Sequence, residues 1–267
     1  MNIYSWNVNG IRSVAKKGFE KWFSDLKPDI LCLQEVRAEL DQAPESLQNP
    51  EGYFTYWNAC RKKKGYSGVA VYSQIEPDIV NYGMGIEEFD EEGRMIQLVF
   101  PDWVLNNVYF PNGGQGEDRL DYKLRFYDAF LENSLHWLSN GKHVVTVGDY
   151  NTAHQEIDIA RPKENENISG FLPIERAWID KYIKNGFADT FRELNPSTEE
   201  AYTWWSNRAN SRERNVGWRL DYCFVDKALM ASVIDSKIMP EVAGSDHCPI
   251  CLELDPPFPP IKVIPTV

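Results

Sequence analysis

Eight short apolar runs, most of which stop abruptly on a carboxylate, an amide or a turn residue, constrain this chain more than anything else in it. They are NIYSWNV at 2–8, DILCLQ at 29–34, YSGVAVYS at 66–73, MIQLVF at 95–100, WVLNNVYF at 103–110, HVVTV at 143–147, RLDYCFV at 219–225 and PICLEL at 249–254. Their length and their wealth of Val, Ile, Tyr and Phe suit strands buried on both faces. Two segments carry helical spacing instead: 117–139, where Leu120, Leu124, Tyr127, Leu131, Leu135 and Leu138 fall three or four apart, and 174–185, closed by Gly186. Strands and helices alternate with no Gly/Ser linker and no internal repeat, so residues 1–254 read as one domain of α/β or α+β class. The remainder, DPPFPPIKVIPTV at 255–267, is too rich in proline to continue a sheet or helix and is expected to be an extended or disordered appendage.

With 267 residues and 43% hydrophobic content the chain can bury a sizeable core. No stretch approaches the roughly 18 uninterrupted apolar residues of a membrane span. The N-terminus, MNIYSWNVNG, enters a strand pattern without a leader, so a cytoplasmic location and no membrane partner are expected. Five scattered cysteines, Cys32, Cys60, Cys223, Cys248 and Cys251, make poor disulfide material and read as buried reduced thiols. A net charge of −12 argues weakly against a polyanionic partner, because a local basic face can still meet phosphates. Two basic clusters stand out: Arg61, Lys62, Lys63 and Lys64, which alone read as a solvated patch, and Arg208, Arg212, Arg214 and Arg219, interleaved with Trp204, Trp205 and Trp218.

The strand ends carry the chemistry. The first ends in Asn7 and Asn9, the second in Gln34 and Glu35, the fifth in Tyr109 followed by Pro111 and Asn112, and the sixth runs into Asp149 and Asn151; Asp246 and His247 sit just before the last. Each has a plain alternative: an Asx-turn or helix cap for Asp149 and Asn151, a hydrogen-bonded structural imidazole for His247. Repeated at the same topological position, such residues instead describe the rim on which a rigid sheet mounts an active site. There is no nucleophile elbow and no phosphate-binding glycine loop. Carboxylates and amides without clustered His or Cys favour a hard cation, Mg²⁺ or Mn²⁺, and a cation opposite a histidine suits phosphodiester hydrolysis.

SWNVNG, LCLQE, GYSGVAVYS, YFPNG, GDYNTAH, NVGWRLDY and GSDHCPI, in this order and spacing, resemble the exodeoxyribonuclease III/apurinic-apyrimidinic (AP) endonuclease family of the DNase I-like endonuclease/exonuclease/phosphatase superfamily, over residues 1 to about 254. The resemblance implies a four-layered sandwich of two packed mixed β-sheets flanked by helices. It implies that Glu35 is the principal Mg²⁺ ligand, supported by Asn7 and Asn9, with Asp246 at a second metal position. Asp149 resembles the residue that orients or activates water, with Asn151 its partner in holding the phosphate. Tyr109 resembles a tyrosine near the scissile phosphate, and His247, paired with Asp221, the histidine that hydrogen-bonds a phosphate oxygen. Trp204, Trp218 and Leu220 match the lining of a pocket for a base-less sugar, with one of Trp204 and Trp205 expected in the core. Tyr66, Arg94 and Asn165 match DNA-contacting positions.

Departures from the family pattern are Asn9, where some members have Asp, and Arg37, where lysine is common; Gln115 and Arg208 stand where relatives wedge into the duplex. The resemblance therefore implies a monomeric Mg²⁺-dependent DNA-repair nuclease that cuts double-stranded DNA 5′ to abasic sites, leaves a 3′-hydroxyl and trims modified 3′ ends. An archaeal-type relative nicks DNA at deoxyuridine, which makes direct uridine incision a secondary expectation. The competing readings are a lipid or poly(A) phosphodiesterase of the same superfamily, against which GYSGVA and NVGWRLDY argue, and a non-catalytic DNA-binding module.

Overall fold

A computed structural model describes residues 1–259. In chain order its strands are β1 (Asn2–Asn7), β2 (Ile30–Gln34), β3 (Phe54–Asn58), β4 (Val69–Ser73), β5 (Ile79–Asn81), β6 (Met95–Val99), β7 (Trp103–Tyr109), β8 (His143–Asp149), β9 (Phe187–Asp189), β10 (Trp204–Trp205), β11 (Gly217–Trp218), β12 (Asp221–Asp226), β13 (Val233–Ile238) and β14 (Ile250–Leu254). They form two mixed six-stranded sheets, ordered β13-β14-β1-β2-β4-β3 and β5-β6-β7-β8-β12-β9, and a small ribbon of β10 and β11. All eight apolar runs are strands.

Three apolar layers explain the architecture. Ile3, Cys32 and Val71 of the first sheet meet Leu98, Leu105, Val145, Val147 and Val225 of the second in a central core. The outer face of the second sheet, with Val108, Val144 and Phe224, packs on helices Glu117–Ser139 and Pro173–Lys184 through Tyr127, Phe130, Trp178 and Tyr182. The outer face of the first, with Trp6, Leu33 and Tyr72, packs on helix Phe19–Leu26 through Phe19 and Phe23. Successive residues of β8 thus enter different cores, which is why its apolar run is continuous rather than alternating. The sandwich has the four layers expected. The stripe expected to face the core from helix Glu117–Ser139 is displaced, however: Tyr122, Phe126, Tyr127, Phe130 and Leu131 are its buried face, while Leu120, Leu124, Leu135 and Leu138 flank it. The bulkier aromatic rings fill the gap above the sheet, and the leucines seal its edges.

All five cysteines are buried and free, as expected. Trp205 is the core member of the tryptophan pair, packed with Tyr202 and Cys248. The first residues of the appendage, 255–259, carry neither helix nor strand. Phe258 packs edge-on against Trp103, and the Pro259 carbonyl lies against His143 Nε2, so the chain up to Pro259 is docked; 260–267 lie outside the described residues. No helix among the described residues is long and apolar enough to cross a membrane.

The basic segment 208–219 is also corrected, because its arginines do not all face outward. Arg212 donates to the carbonyls of Pro240, Val242 and Ser245. Arg219, only 1% exposed, binds Asp158 and Asp189 at 2.8 and 2.7 Å. Its neighbours Trp218, Leu220 and Asp221 all belong to the site described below, so this pairing fixes the segment that delivers them. Replacing Arg219 by Met strands two buried carboxylates and is expected to cost about 3–5 kcal/mol, read as a lower urea midpoint; a midpoint equal to the wild type's would contradict this role.

Candidate active site

Strand register builds the site. The carboxyl ends of the parallel strands β7 and β8 pair Tyr109 with Asp149, and antiparallel β12 pairs Asp221 with the same Asp149, so three polar side chains stand in one row across the second sheet. Gly148 makes the approach possible: its φ is +146°, and a Cβ there would lie 1.9 Å from the Val108 carbonyl oxygen. The first sheet supplies the facing group. Asn7, at the end of β1, donates its amide to Glu35 Oε2 at 3.0 Å and to Asp149 Oδ2 at 2.9 Å, tying the two sheets together at the rim.

His247 is held from behind. Its Nδ1 lies 2.7 Å from Asp221 Oδ2, its backbone carbonyl accepts from Trp6 Nε1, and its Nε2 points toward Asp149 Oδ2, 3.8 Å away. Burial opposes the imidazolium, but Asp221 and then Asp149 outweigh it and raise the His247 pKa to about 10. Burial also raises Asp149, to about 7, with His247 pulling it down and Asp221 pushing it up. Burial, then Glu35, raises the Tyr109 hydroxyl well above its ordinary value and keeps it a proton donor. Asp246 goes the other way: although burial opposes its charge, His247 and hydrogen bonds from Asn9 and Trp204 hold it below the usual carboxylate range.

These groups open onto a cavity of about 290 Å³ lined by Asn9, Glu35, Arg37, Tyr109, Asn112, Asp149, Asn151, the 168–170 segment, Trp204, Trp218, Leu220, Asp246 and His247. A larger groove of about 750 Å³ runs beside helix Phe19–Leu26, but no buried convergent set of titratable groups faces it, so chemistry and not size assigns the site. Backbone strain concentrates at the smaller cavity. Asn9, Glu35, Arg37 and Asn151 all adopt the left-handed region, with φ between 44° and 55°, a conformation that side chains hold only where surrounding structure enforces it.

The donor set fits a hard cation. Glu35 and Asp149 present carboxylate oxygens to one shared amide nitrogen, Asn9 and Asp246 stand beside them, and no sulfur faces the cavity. Asp149, Asp221 and His247 also have ligand atoms within 4.8 Å of one another. The Asp221 Oδ1 atom is buried without a hydrogen-bond partner. Glu35 Oε1 is engaged by the Arg37 guanidinium, through Nε at 3.0 Å and through Nη2.

A family model described as the endonuclease/exonuclease/phosphatase family matches residues 4–247. The chain belongs to that family. Within it, the chain is 45% identical over 251 residues to a Bacillus subtilis exodeoxyribonuclease, covering 94% of this chain and 98% of that one. It is 45% identical over 255 residues to the Danio rerio DNA repair nuclease APEX1, covering 95% and 82%. The crystal structure of the AP endonuclease LMAP from Leishmania major superposes with a TM-score of 0.87 at 31% identity, covering 96% and 88%. The chain is thus an enzyme of the exodeoxyribonuclease and AP endonuclease branch of the family, the DNA-repair nucleases.

Most residues that the family motifs single out meet at the cavity: Glu35, Asn9, Tyr109, Asp149, Asn151, Asp246 and His247 with the walls Trp204, Trp218 and Leu220, and with Asn7 and Asp221 directly behind. Others do not. Arg94, expected at a DNA contact, is 1% exposed and bonds Glu92, the Tyr109 carbonyl and the Tyr66 hydroxyl. It steadies Tyr109, over whose ring its guanidinium sits at 4.8 Å. Arg37, also expected on DNA, does line the cavity, but its guanidinium is held by Glu35. Asn165 is bonded to the Arg161 carbonyl, outside the cavity lining. Tyr66 is half-buried, and Gln115 and Arg208 are exposed on loops away from the lining. Both Asn151 amide protons are spent on Phe110 O and Asp149 Oδ2, so this amide positions rather than donates outward. Asn112, which donates to Asn151 Oδ1, and the 168–170 wall were not singled out as site residues. Asn112 had a signal, the YFPNG strand end; 168–170 had none.

Proposed function

We propose that the protein is a Mg²⁺-dependent nuclease that hydrolyses the phosphodiester 5′ to abasic sites in double-stranded DNA, leaves a 3′-hydroxyl and trims modified 3′ ends. The observation that carries this reading is a buried Asp149 and a buried His247, 3.8 Å apart, that open together onto a small cavity with an aromatic and leucine wall. An extruded deoxyribose without its base is small and largely apolar, and such a wall suits it. Asp149 orients water and accepts its proton. His247, with Nδ1–H given to Asp221, donates Nε2–H to a non-bridging phosphate oxygen, and Tyr109 donates beside it. Glu35, with Asn7, Asn9 and Asp246 around it, would hold Mg²⁺ or Mn²⁺, which would offset charge building on the phosphate. One copy carries every residue of the cavity, and the reading takes the enzyme as a cytoplasmic monomer.

Three measurements test this. A duplex with one tetrahydrofuran abasic analogue should be nicked with Mg²⁺ and left whole with EDTA, while a phosphoinositide is untouched; the reverse preference would sink the reading. A uracil-containing duplex beside its thymine control tests the secondary incision. The pH profile has two limbs. Asp149 must be ionised to accept a proton, so kcat/KM is expected to rise as pH climbs through about 7, and His247 must keep its proton, so it should fall as pH passes about 10. A rate insensitive to pH near neutrality would remove Asp149 from that role.

A further inference from the structure

Lys123 and Glu175 take no part in the chemistry above, yet they touch the segments that wall the cavity. Both are fully buried, one on each of the two long helices behind the second sheet. The Lys123 ammonium donates to Glu175 Oε1 at 2.6 Å, to Thr152 Oγ1 at 2.8 Å and to the Asn151 carbonyl at 2.8 Å, which uses all three of its protons. Glu175 Oε1 also accepts from the Ser169 hydroxyl, and Oε2 from the backbone N–H groups of Gly170 and Leu172. The pair therefore ties the turn that carries Asn151 to the 168–172 segment on the other side of the cavity.

The spacing it fixes has no slack. A Cβ on Gly170 would lie 3.0 Å from the Trp218 ring and 3.3 Å from the Asn151 carbonyl, and one on Gly113 would lie 2.7 Å from Ser169 Oγ. Packing the two helices alone does not call for a charge pair, since apolar side chains of similar volume serve buried sites as well or better. What the charges add here is six directed bonds, one between the Lys123 ammonium and the Glu175 carboxylate and five from the pair to the cavity-wall segments, that an apolar pair lacks.

We propose that Lys123 and Glu175 are positioning residues for substrate selection: together they fix the gap between the 168–170 wall and the wall of Asn151 and Trp218, so that a sugar without its base enters and one that carries its base does not. This rests on the abasic-site reading given above. The test is the ratio of kcat/KM for incision at a tetrahydrofuran site to that at thymidine in the same duplex position. In Lys123→Met/Glu175→Leu, which keeps the buried volume apolar but leaves the Gly170 and Leu172 N–H groups without their acceptor, the melting temperature should fall while the fold persists, and the ratio should fall by roughly tenfold or more. Glu175→Asp keeps the charge and shortens the reach by one methylene, so it should fold even if the double variant does not, and its ratio should fall too. A wild-type enzyme that prefers neither duplex overturns the functional reading, and this proposal with it. A selective wild type whose ratio survives in either folded variant overturns this proposal alone.

Discussion

Asp149→Asn is expected to lower single-turnover incision of an abasic duplex by about 10³- to 10⁴-fold, the scale of a lost general base in a water-poor site. The side chain is 1% exposed, sits in line with Tyr109 and Asp221, and accepts from the Asn7 amide of the first sheet and from the Asn151 backbone N–H. Asn has nearly the same shape, so far-UV circular dichroism and cleft binding of DNA should persist. A variant within about tenfold of the wild type would mean that another group takes the proton, and the pH limb near 7 would then have to be reassigned.

His247→Ala carries the second large effect, about 10²- to 10³-fold in kcat, the range found for loss of one donor to a charged transition state. Its partner offers an independent check. In Asp221→Asn the anion that raises the His247 pKa is gone, and Asp149 remains 3.8 Å away. The alkaline limb of the rate profile should therefore move down from about 10 toward neutrality, while the acidic limb set by Asp149 moves down as well, because Asp221 no longer opposes its ionisation. An alkaline limb left in place would show that Asp221 does not hold the imidazolium.

The same two residues show what could be read from the chain alone. A strand that stops on Gly148-Asp149 announces a buried acid at a rim, and the pairing of Tyr109, Asp149 and Asp221 follows once β7, β8 and β12 are neighbours. Local pattern delivers strands whose faces are both buried, because their apolar runs are unbroken. It misses β3 and β13, the half-exposed edge strands of the first sheet, and the short β5, β9, β10 and β11, which hold their shape through partners distant in sequence. Charge is where local reading fails most. Arg94 and Arg219 look like DNA contacts by type and position, yet each is buried against carboxylates, Glu92 in one case and Asp158 and Asp189 in the other. Nothing in the spacing of an arginine says whether its acid partner lies in solvent, in a ligand or 61 residues back along the chain. Likewise the 168–170 wall is set by Glu175 and Lys123, and no motif marks it.

The most direct test of the account is end-group analysis of the nick. Purified protein would be incubated with a 5′-labelled duplex carrying one tetrahydrofuran site, in Mg²⁺, and the labelled fragment sized and challenged with a polymerase. The account predicts a fragment ending immediately 5′ of the lesion with an extendable 3′-hydroxyl. A cut on the 3′ side of the lesion, or a 5′ cut that leaves a blocked 3′-phosphate, would contradict it.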